Sequence, residues 1–126
     1  MIPKFLEKLL EEEYGNELTN KIIDGYSKKR FVTLRVNTIK SNISKIKEVL
    51  DNLNIRYQEV EWYKDALIVE NALESDLEKL DIYNNGEIYL QSLSSMLPPL
   101  LLEPKKNESI LDMTAAPGGK TTQMVA

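Results

Sequence analysis

Residues 109–122 (SILDMTAAPGGKTT) carry the residue types and spacing of a cofactor-binding loop. The apolar residues Ile110, Leu111 and Met113 predict a short buried strand, which ends near Asp112. Residues 117–119, Pro-Gly-Gly, predict a turn whose backbone N–H groups come close to a ligand, because glycine has no Cβ. Residues 120–122 then predict the start of a helix. In α/β proteins, a strand, a glycine-rich turn and a helix in this order hold a nucleotide-like cofactor.

The P-loop pattern G-x-x-x-x-G-K-[ST] is one alternative for this turn. Gly119, Lys120 and Thr121 fit its end, but its first glycine would fall at position 114, where the chain has Thr114. Pro117 also removes one N–H from a phosphate cradle. A P-loop-like nucleotide-binding protein is therefore an alternative with partial support, and the dinucleotide pattern G-x-G-x-x-G is absent.

Three segments resemble motifs of the Sun family of RNA (cytosine-5) methyltransferases. Residues 112–121, DMTAAPGGKT, are similar to the family's D-x-C-A-A-P-G-G-K-T, with threonine at position 114 where cysteine is usual. Residues 35–38, RVNT, resemble R-x-N-T, and residues 86–95, GEIYLQSLSS, resemble G-x-x-x-x-Q-x-x-S-S. The segments follow the family's order, and the likeness covers roughly residues 30–126.

This resemblance implies S-adenosylmethionine as the cofactor, with its methionine end against the loop. Asp112 would either order the loop or meet the amino group of the cofactor. The expected cofactor-binding residues are Asp112, Thr114, Ala115, Ala116, Pro117, Gly118, Gly119 and Lys120.

The chain contains no cysteine and no histidine. Methylation of cytosine at C5 requires a nucleophile that adds at C6, and a thiolate suits this step. The resemblance implies that cysteines downstream of the loop supply it. We therefore expect no catalytic residue here and an inactive N-terminal piece of an rRNA or tRNA cytosine-C5 methyltransferase. A non-catalytic RNA-binding or adaptor module is the alternative from another class, and no metal site is expected.

A basic block stands out in a chain whose net charge is −4. Residues 28–47 contain seven Lys and Arg residues and no Asp or Glu. Such a block is a candidate phosphate-facing patch, although a solvated lysine-rich surface has the same composition. With the family resemblance, we expect rRNA or tRNA to contact Lys28, Lys29, Arg30 and Arg35.

The hydrophobic share of 42% and the charged share of 29% are ordinary for a soluble globular protein. No apolar run approaches the roughly 20 residues that cross a bilayer, and the first residues lack the pattern of a secretory signal. We therefore expect a cytoplasmic protein without a membrane partner.

The elements ahead of the loop predict an α+β fold. Apolar spacing predicts a helix over residues 3–13, a break at Gly15 and a second helix up to Tyr26. Residues 31–70 then predict a strand, a helix capped by Ser41 or Asn42, and a hairpin, which is a ferredoxin-like order.

Two domains are expected on this basis. Residues 1–85 would form a small RNA-recognition-like domain, and residues 86–126 the first strand, loop and helix of a truncated Rossmann-like methyltransferase domain. Pro98 and Pro99 should break or kink the helix of residues 91–102 near Leu97. The strand in the segment 109–126 would lack neighbours, so these residues are expected to be either mobile or buried against another copy of the chain.

Overall fold

The computed structural model describes residues 2–28 and 30–126, which divide into two compact units between residues 30 and 31. The first unit is the helix α1, Lys4–Ser27. Its backbone leaves the helical region at Gly15, where φ is 73° and ψ is 165°. Glycine adopts a positive φ at little cost, so the predicted break between two helical stretches is confirmed.

The second unit is built on a four-stranded sheet of order β2-β3-β1-β4. Its strands are β1 (Val32–Val36), β2 (Tyr57–Glu59), β3 (Ala66–Val69) and β4 (Ile88–Leu90). β1 pairs antiparallel with β3 and β4, and β2 pairs antiparallel with β3. This is the ferredoxin-like arrangement, and the predicted α+β class is confirmed. The sheet also continues through β4, past the expected domain boundary at residues 85 and 86.

One face of the sheet packs on the helix α2, Ile43–Asn52. Asn42 caps this helix as predicted, since its side chain accepts a hydrogen bond from the backbone N–H of Lys45 at 2.9 Å. Two short helices, α3 (Glu74–Leu77) and α4 (Asp81–Asn84), follow β3. The buried residues of this core are Val32, Leu34, Val36, Ile46, Leu50, Leu67, Val69, Ala72, Leu77, Ile82 and Ile88.

The other face of the sheet carries a smaller cluster, which includes Ala66 of β3 and Met96 of the helix α5, Leu93–Leu102. Successive side chains of a strand point to opposite faces. In β1, Arg35 lies between the core residues Leu34 and Val36. Its side chain therefore points to the opposite face of the sheet, which α5 covers.

No break occurs near Leu97, because α5 runs through both prolines. Pro99 has no N–H to donate to the carbonyl of Ser95. The side-chain Nε2 of Gln91 donates to that carbonyl instead, at 3.1 Å. The Gln91 side chain, from outside the helix, thus replaces the backbone N–H donor that Pro99 lacks.

The strand predicted at residues 109–113 is wrong. These residues are irregular, and none of the four strands pairs with them. A strand forms through hydrogen bonds to a neighbour, and the described residues offer none here. Leu111 and Met113 consequently stand 84% and 88% exposed. The helix predicted after the loop is present as α6, Gly119–Val125.

Candidate functional site

The turn at residues 117–119 requires its two glycines for different reasons. Gly118 has a φ of 110°, a conformation that side-chain-bearing residues rarely adopt. Gly119 lies against the sheet, where an added Cβ would come within 3.3 Å of Gln91 Cδ and 3.4 Å of Tyr89 Cε1. The positive φ of Gly118 and the close approach of Gly119 to Tyr89 and Gln91 therefore both favour glycine in this turn.

Asp112 joins the two ends of the loop. One carboxylate oxygen accepts hydrogen bonds from the backbone N–H and the hydroxyl of Thr114, at 2.9 and 3.2 Å. The other oxygen accepts from the Thr121 hydroxyl at 2.6 Å. The bond from Thr121, followed by those from Thr114, holds the pKa of the Asp112 carboxyl below its usual value. The carboxylate therefore orders the loop, which is one of the two roles expected from the sequence.

A pocket of about 310 Å³ lies beside the loop. Three of the predicted cofactor residues, Asp112, Thr114 and Lys120, form part of its wall. The remaining wall is apolar and consists of Pro98, Pro99, Leu102, Ile110, Leu111, Met113 and Met124. A concave, mostly apolar site with a few polar groups is the usual form of a small-molecule site.

A buried arginine contacts the first turn of α6. The side chain of Arg35 is among the least exposed in the chain, at 1%. Its Nη2 donates to the Thr122 hydroxyl at 3.0 Å, and its Nε donates to Gln91 Oε1 at 3.2 Å. Its guanidinium also lies over the ring of Tyr89, 5.8 Å from the centroid. Burial lowers the pKa of this guanidinium from its usual value.

Gln91 continues this network toward α6 and α5. Its Nε2 donates to Gln123 Oε1 at 3.0 Å, and Gln123 Nε2 donates to the backbone carbonyl of Met96 at 2.9 Å. Tyr89 reaches the loop itself, because its hydroxyl donates to the carbonyl of Pro117 at 3.1 Å. The segment at 86–95 therefore contacts both other motif segments, through Arg35 and Pro117, and Arg35 also reaches Thr122, directly after the third segment.

Two family models match this chain. One, described as the ferredoxin-like domain of RsmF/B-like methyltransferases, covers residues 2–76. The other, described as 16S rRNA methyltransferase RsmB/F, covers residues 99–126. The chain belongs to the Sun family of RNA methyltransferases. The family predicted from the three motifs is thus confirmed.

Relatives within the Sun family are much longer than this chain. A tRNA (cytosine(49)-C(5))-methyltransferase of Pyrococcus abyssi is 40% identical over 92 residues, which are 73% of this chain and 29% of the relative. A probable ribosomal RNA small subunit methyltransferase B of Bacillus subtilis is 34% identical over 122 residues, 97% of this chain and 27% of the relative. The chain therefore spans less than a third of these relatives.

Solved structures give the same fold. A methyltransferase homolog from Pyrococcus horikoshii superposes with a TM-score of 0.72 at 29% identity, over 98% of this chain and 44% of that one. NSun6 from the same organism superposes with a TM-score of 0.77 at 20% identity, over 97% of this chain and 55% of that one. The second likeness concerns the fold alone.

The residues expected to contact RNA differ in their exposure to solvent. Lys28 and Arg30 are exposed in the first unit, and Lys28 forms an ion pair with Asp24 at 3.1 Å. Lys29 lies outside the described residues. The buried position of Arg35 contradicts the expectation that it faces an RNA phosphate, because its guanidinium is not accessible from solvent.

The rest of the basic block is engaged within the second unit of this Sun-family chain. Lys45 pairs with Glu87 at 2.7 Å, and Lys47 pairs with Glu59 at 2.6 Å. Lys40 Nζ donates to the carbonyl of Asn85 at 2.8 Å. These three lysines are consecutive basic residues in the sequence, but in the fold each one binds a different acceptor within the protein.

Sequence reasoning missed Thr122 and Gln123 as members of the site. The motif at residues 86–95 includes Gln91, but the motif did not predict that this side chain packs against Gly119 of the loop. Spacing carries no signal for Thr122 or Gln123, because their partners lie in segments far away in the sequence. In residues 2–28 and 30–126, no helix is long and apolar enough to cross a membrane, and no acidic cluster is arranged to hold a metal ion.

Proposed function

We propose that this chain supplies the ferredoxin-like domain and the cofactor loop of an rRNA or tRNA cytosine-C5 methyltransferase. The loop closed by Asp112, beside a pocket whose wall it shares, carries this proposal. The family match at residues 99–126 and the names of the relatives support it.

The proposed cofactor is S-adenosylmethionine, which supplies the methyl group. The residues present fit such a ligand, because the pocket joins an apolar wall to Asp112, Thr114 and Lys120. The close packing of Gly119 on Gln91 fixes the position of the turn next to that pocket. The residues proposed to hold the cofactor are Asp112, Thr114, Ala115, Ala116, Pro117, Gly118, Gly119 and Lys120.

Catalysis would need a nucleophile from outside these 126 residues. Addition at C6 of cytosine calls for a thiolate, and the chain has no cysteine. The relatives extend well beyond the matched part, which leaves room for such a residue in the whole protein. We therefore propose that the chain alone transfers no methyl group. Exposed residues such as Leu111 and Met113 would then be covered by further parts of the protein, or by a second copy when the chain is alone.

The basic residues 28–30 are proposed to face the phosphates of the RNA. The proposed compartment of the protein is the cytoplasm. Lys28 and Arg30 project from the first unit, where cationic side chains can reach a phosphate backbone. The second candidate function is a non-catalytic RNA-binding module, which the exposure of this basic group would also serve.

The experiment uses the full-length protein and the 126-residue chain side by side. Transfer of a labelled methyl group to rRNA and tRNA, together with calorimetry of S-adenosylmethionine binding, measures both parts of the proposal. We expect the full-length protein to methylate cytosine at C5 and the 126-residue chain to transfer no methyl group. RNA binding without cofactor binding would favour the adaptor module, and tight ATP binding in place of S-adenosylmethionine would favour the P-loop alternative.

A further inference from the structure

A buried polar network lies under the loop, and the chemistry proposed above does not use it. Arg35, Gln91 and Gln123 are at most 8% exposed, and their side chains are linked by hydrogen bonds. No group lies in good hydrogen-bond geometry to the buried Arg35 Nη1 among the described residues, although the nearby Tyr63 side chain partly offsets the lowering of the guanidinium pKa by burial. Burial of a charged group with an unpaired donor is costly, so an apolar cluster would hold the same elements together at lower cost.

The hydrogen bonds of this network hold the loop in a defined position. Arg35 holds the Thr122 hydroxyl, which in turn donates to the carbonyl of Gly118 at 2.8 Å. The side chain of Gln91 packs on Gly119 and bonds Gln123 one turn further along α6. Arg35, through Thr122, and Gln91 therefore support the glycine turn, alongside the bond from the Tyr89 hydroxyl to the carbonyl of Pro117.

We propose that Arg35 and Gln91 are positioning residues for the cofactor loop. They act through Thr122, Gln123 and the turn at residues 117–119, and they do not themselves touch the cofactor. The identity of that cofactor rests on the proposed function, whereas the positioning of the loop does not. Arg35 thereby takes a role inside the protein in place of the RNA contact expected from the basic block.

The test compares two arginine variants of the full-length protein. Arg35→Met removes the donors and keeps much of the apolar stem. Arg56→Met makes the same chemical change at an exposed arginine, which pairs with Glu70 at 3.5 Å and has no contact with the loop. The measurements are the Kd for S-adenosylmethionine by calorimetry and amide hydrogen exchange in the cofactor-free protein.

We expect Arg35→Met to weaken cofactor binding about 10-fold, which corresponds to about 1.4 kcal/mol. Exchange of residues 114–122 should become faster by a similar factor, while α2 keeps its protection, because the loop opens locally. Arg56→Met should change neither quantity. Equal acceleration in α2 and the loop would mean a merely structural role, and an unchanged Kd and loop exchange in folded Arg35→Met would overturn the proposal.

A second pair of variants covers the case in which Arg35→Met does not fold. Thr122→Val removes the acceptor of Arg35 Nη2, and Thr122→Ser keeps a hydroxyl. Faster loop exchange in Thr122→Val than in Thr122→Ser is expected, and equal exchange in the two would contradict the inference. If the wild-type protein binds no S-adenosylmethionine, the proposed function fails, and the exchange measurements still decide whether the network positions the loop.

Discussion

Arg35 Nη2 lies 3.0 Å from the hydroxyl oxygen of Thr122, although 87 positions separate the two residues in the sequence. This bond joins the central strand of a ferredoxin-like sheet to the helix that follows a glycine turn. Segments that stand far apart as sequence motifs are thus parts of one structural unit. The loop, its support and the charged residues around it can each be tested by substitution.

The loop should lose order in acid through Asp112. Hydrogen bonds from Thr121 and Thr114 lower the folded-state pKa of this carboxyl below its ordinary value of 3.8. A depressed carboxyl pKa stabilises the folded loop above the unfolded pKa, and the contribution is lost as the pH falls through the folded pKa. Loop exchange should therefore rise relative to the core below about pH 3.8. In Asp112→Asn this pH dependence should be absent, and its persistence would assign it to another group.

Gly119→Ala should destabilise the loop. The added Cβ would lie 3.3 Å from Gln91 Cδ, and this overpacking costs about 1–3 kcal/mol. The free energy of unfolding and the Kd for S-adenosylmethionine measure the effect. Gly25→Ala is the matched control, because nothing lies within 4 Å of its Cβ position in α1. That change should stabilise the helix by up to about 1 kcal/mol, and equal effects at the two positions would contradict the packing argument.

Lys45→Met should destabilise the second unit. Lys45 Nζ lies 2.7 Å from a carboxylate oxygen of Glu87, whose side chain is only 11% exposed. Removal of the cation leaves a nearly buried carboxylate short of a partner, at a cost of about 1–3 kcal/mol. Chemical denaturation measures the change. Lys21→Met, in an exposed pair with Glu17, should cost less than about 0.5 kcal/mol. A similar destabilisation in both variants would show that the burial of Glu87 does not matter.

Replacement of Lys28, Lys29 and Arg30 by alanine should weaken RNA binding by the full-length protein. The salt dependence should also flatten, by a slope of about 0.7–0.9 for each phosphate that the variant no longer neutralises. Affinity for unrelated RNA sequences should fall by a similar factor, because phosphate contacts position rather than specify. Lys8→Ala and Lys21→Ala, which remove lysines from α1 itself, are the controls. An unchanged affinity and salt slope in the triple variant would assign these residues to an ordinary solvated surface.

Local signals in the sequence predicted much of the fold. The cap at Asn42, the break at Gly15 and the β-α-β-β order depend on residues close together in the chain, and all three are present. Features that depend on distant partners were not predictable in this way. The helix through Pro99 relies on the Gln91 side chain, and residues 109–113 form no strand without a neighbour.

The same reasoning applies to the candidate site. The motif at residues 112–121 identified the loop, because its glycines and Asp112 act within that segment. The role of Arg35 could not be predicted from its neighbours, which form a basic block. The three-dimensional structure is needed to show that the Arg35 side chain lies on the α5 side of the sheet and bonds to Gln91 and Thr122.

The pairing of β4 with β1 affects how this protein can be recombined with its relatives. Asn37 donates its backbone N–H to the carbonyl of Glu87 at 2.8 Å, so the edge strand is attached to the sheet along its length. A chimera joined after residue 85 would combine a sheet from one parent with an edge strand and a glutamine from the other. Chimeras that keep residues 31–95 from one parent should fold more readily, and the choice of crossover point follows from the hydrogen-bond ladder.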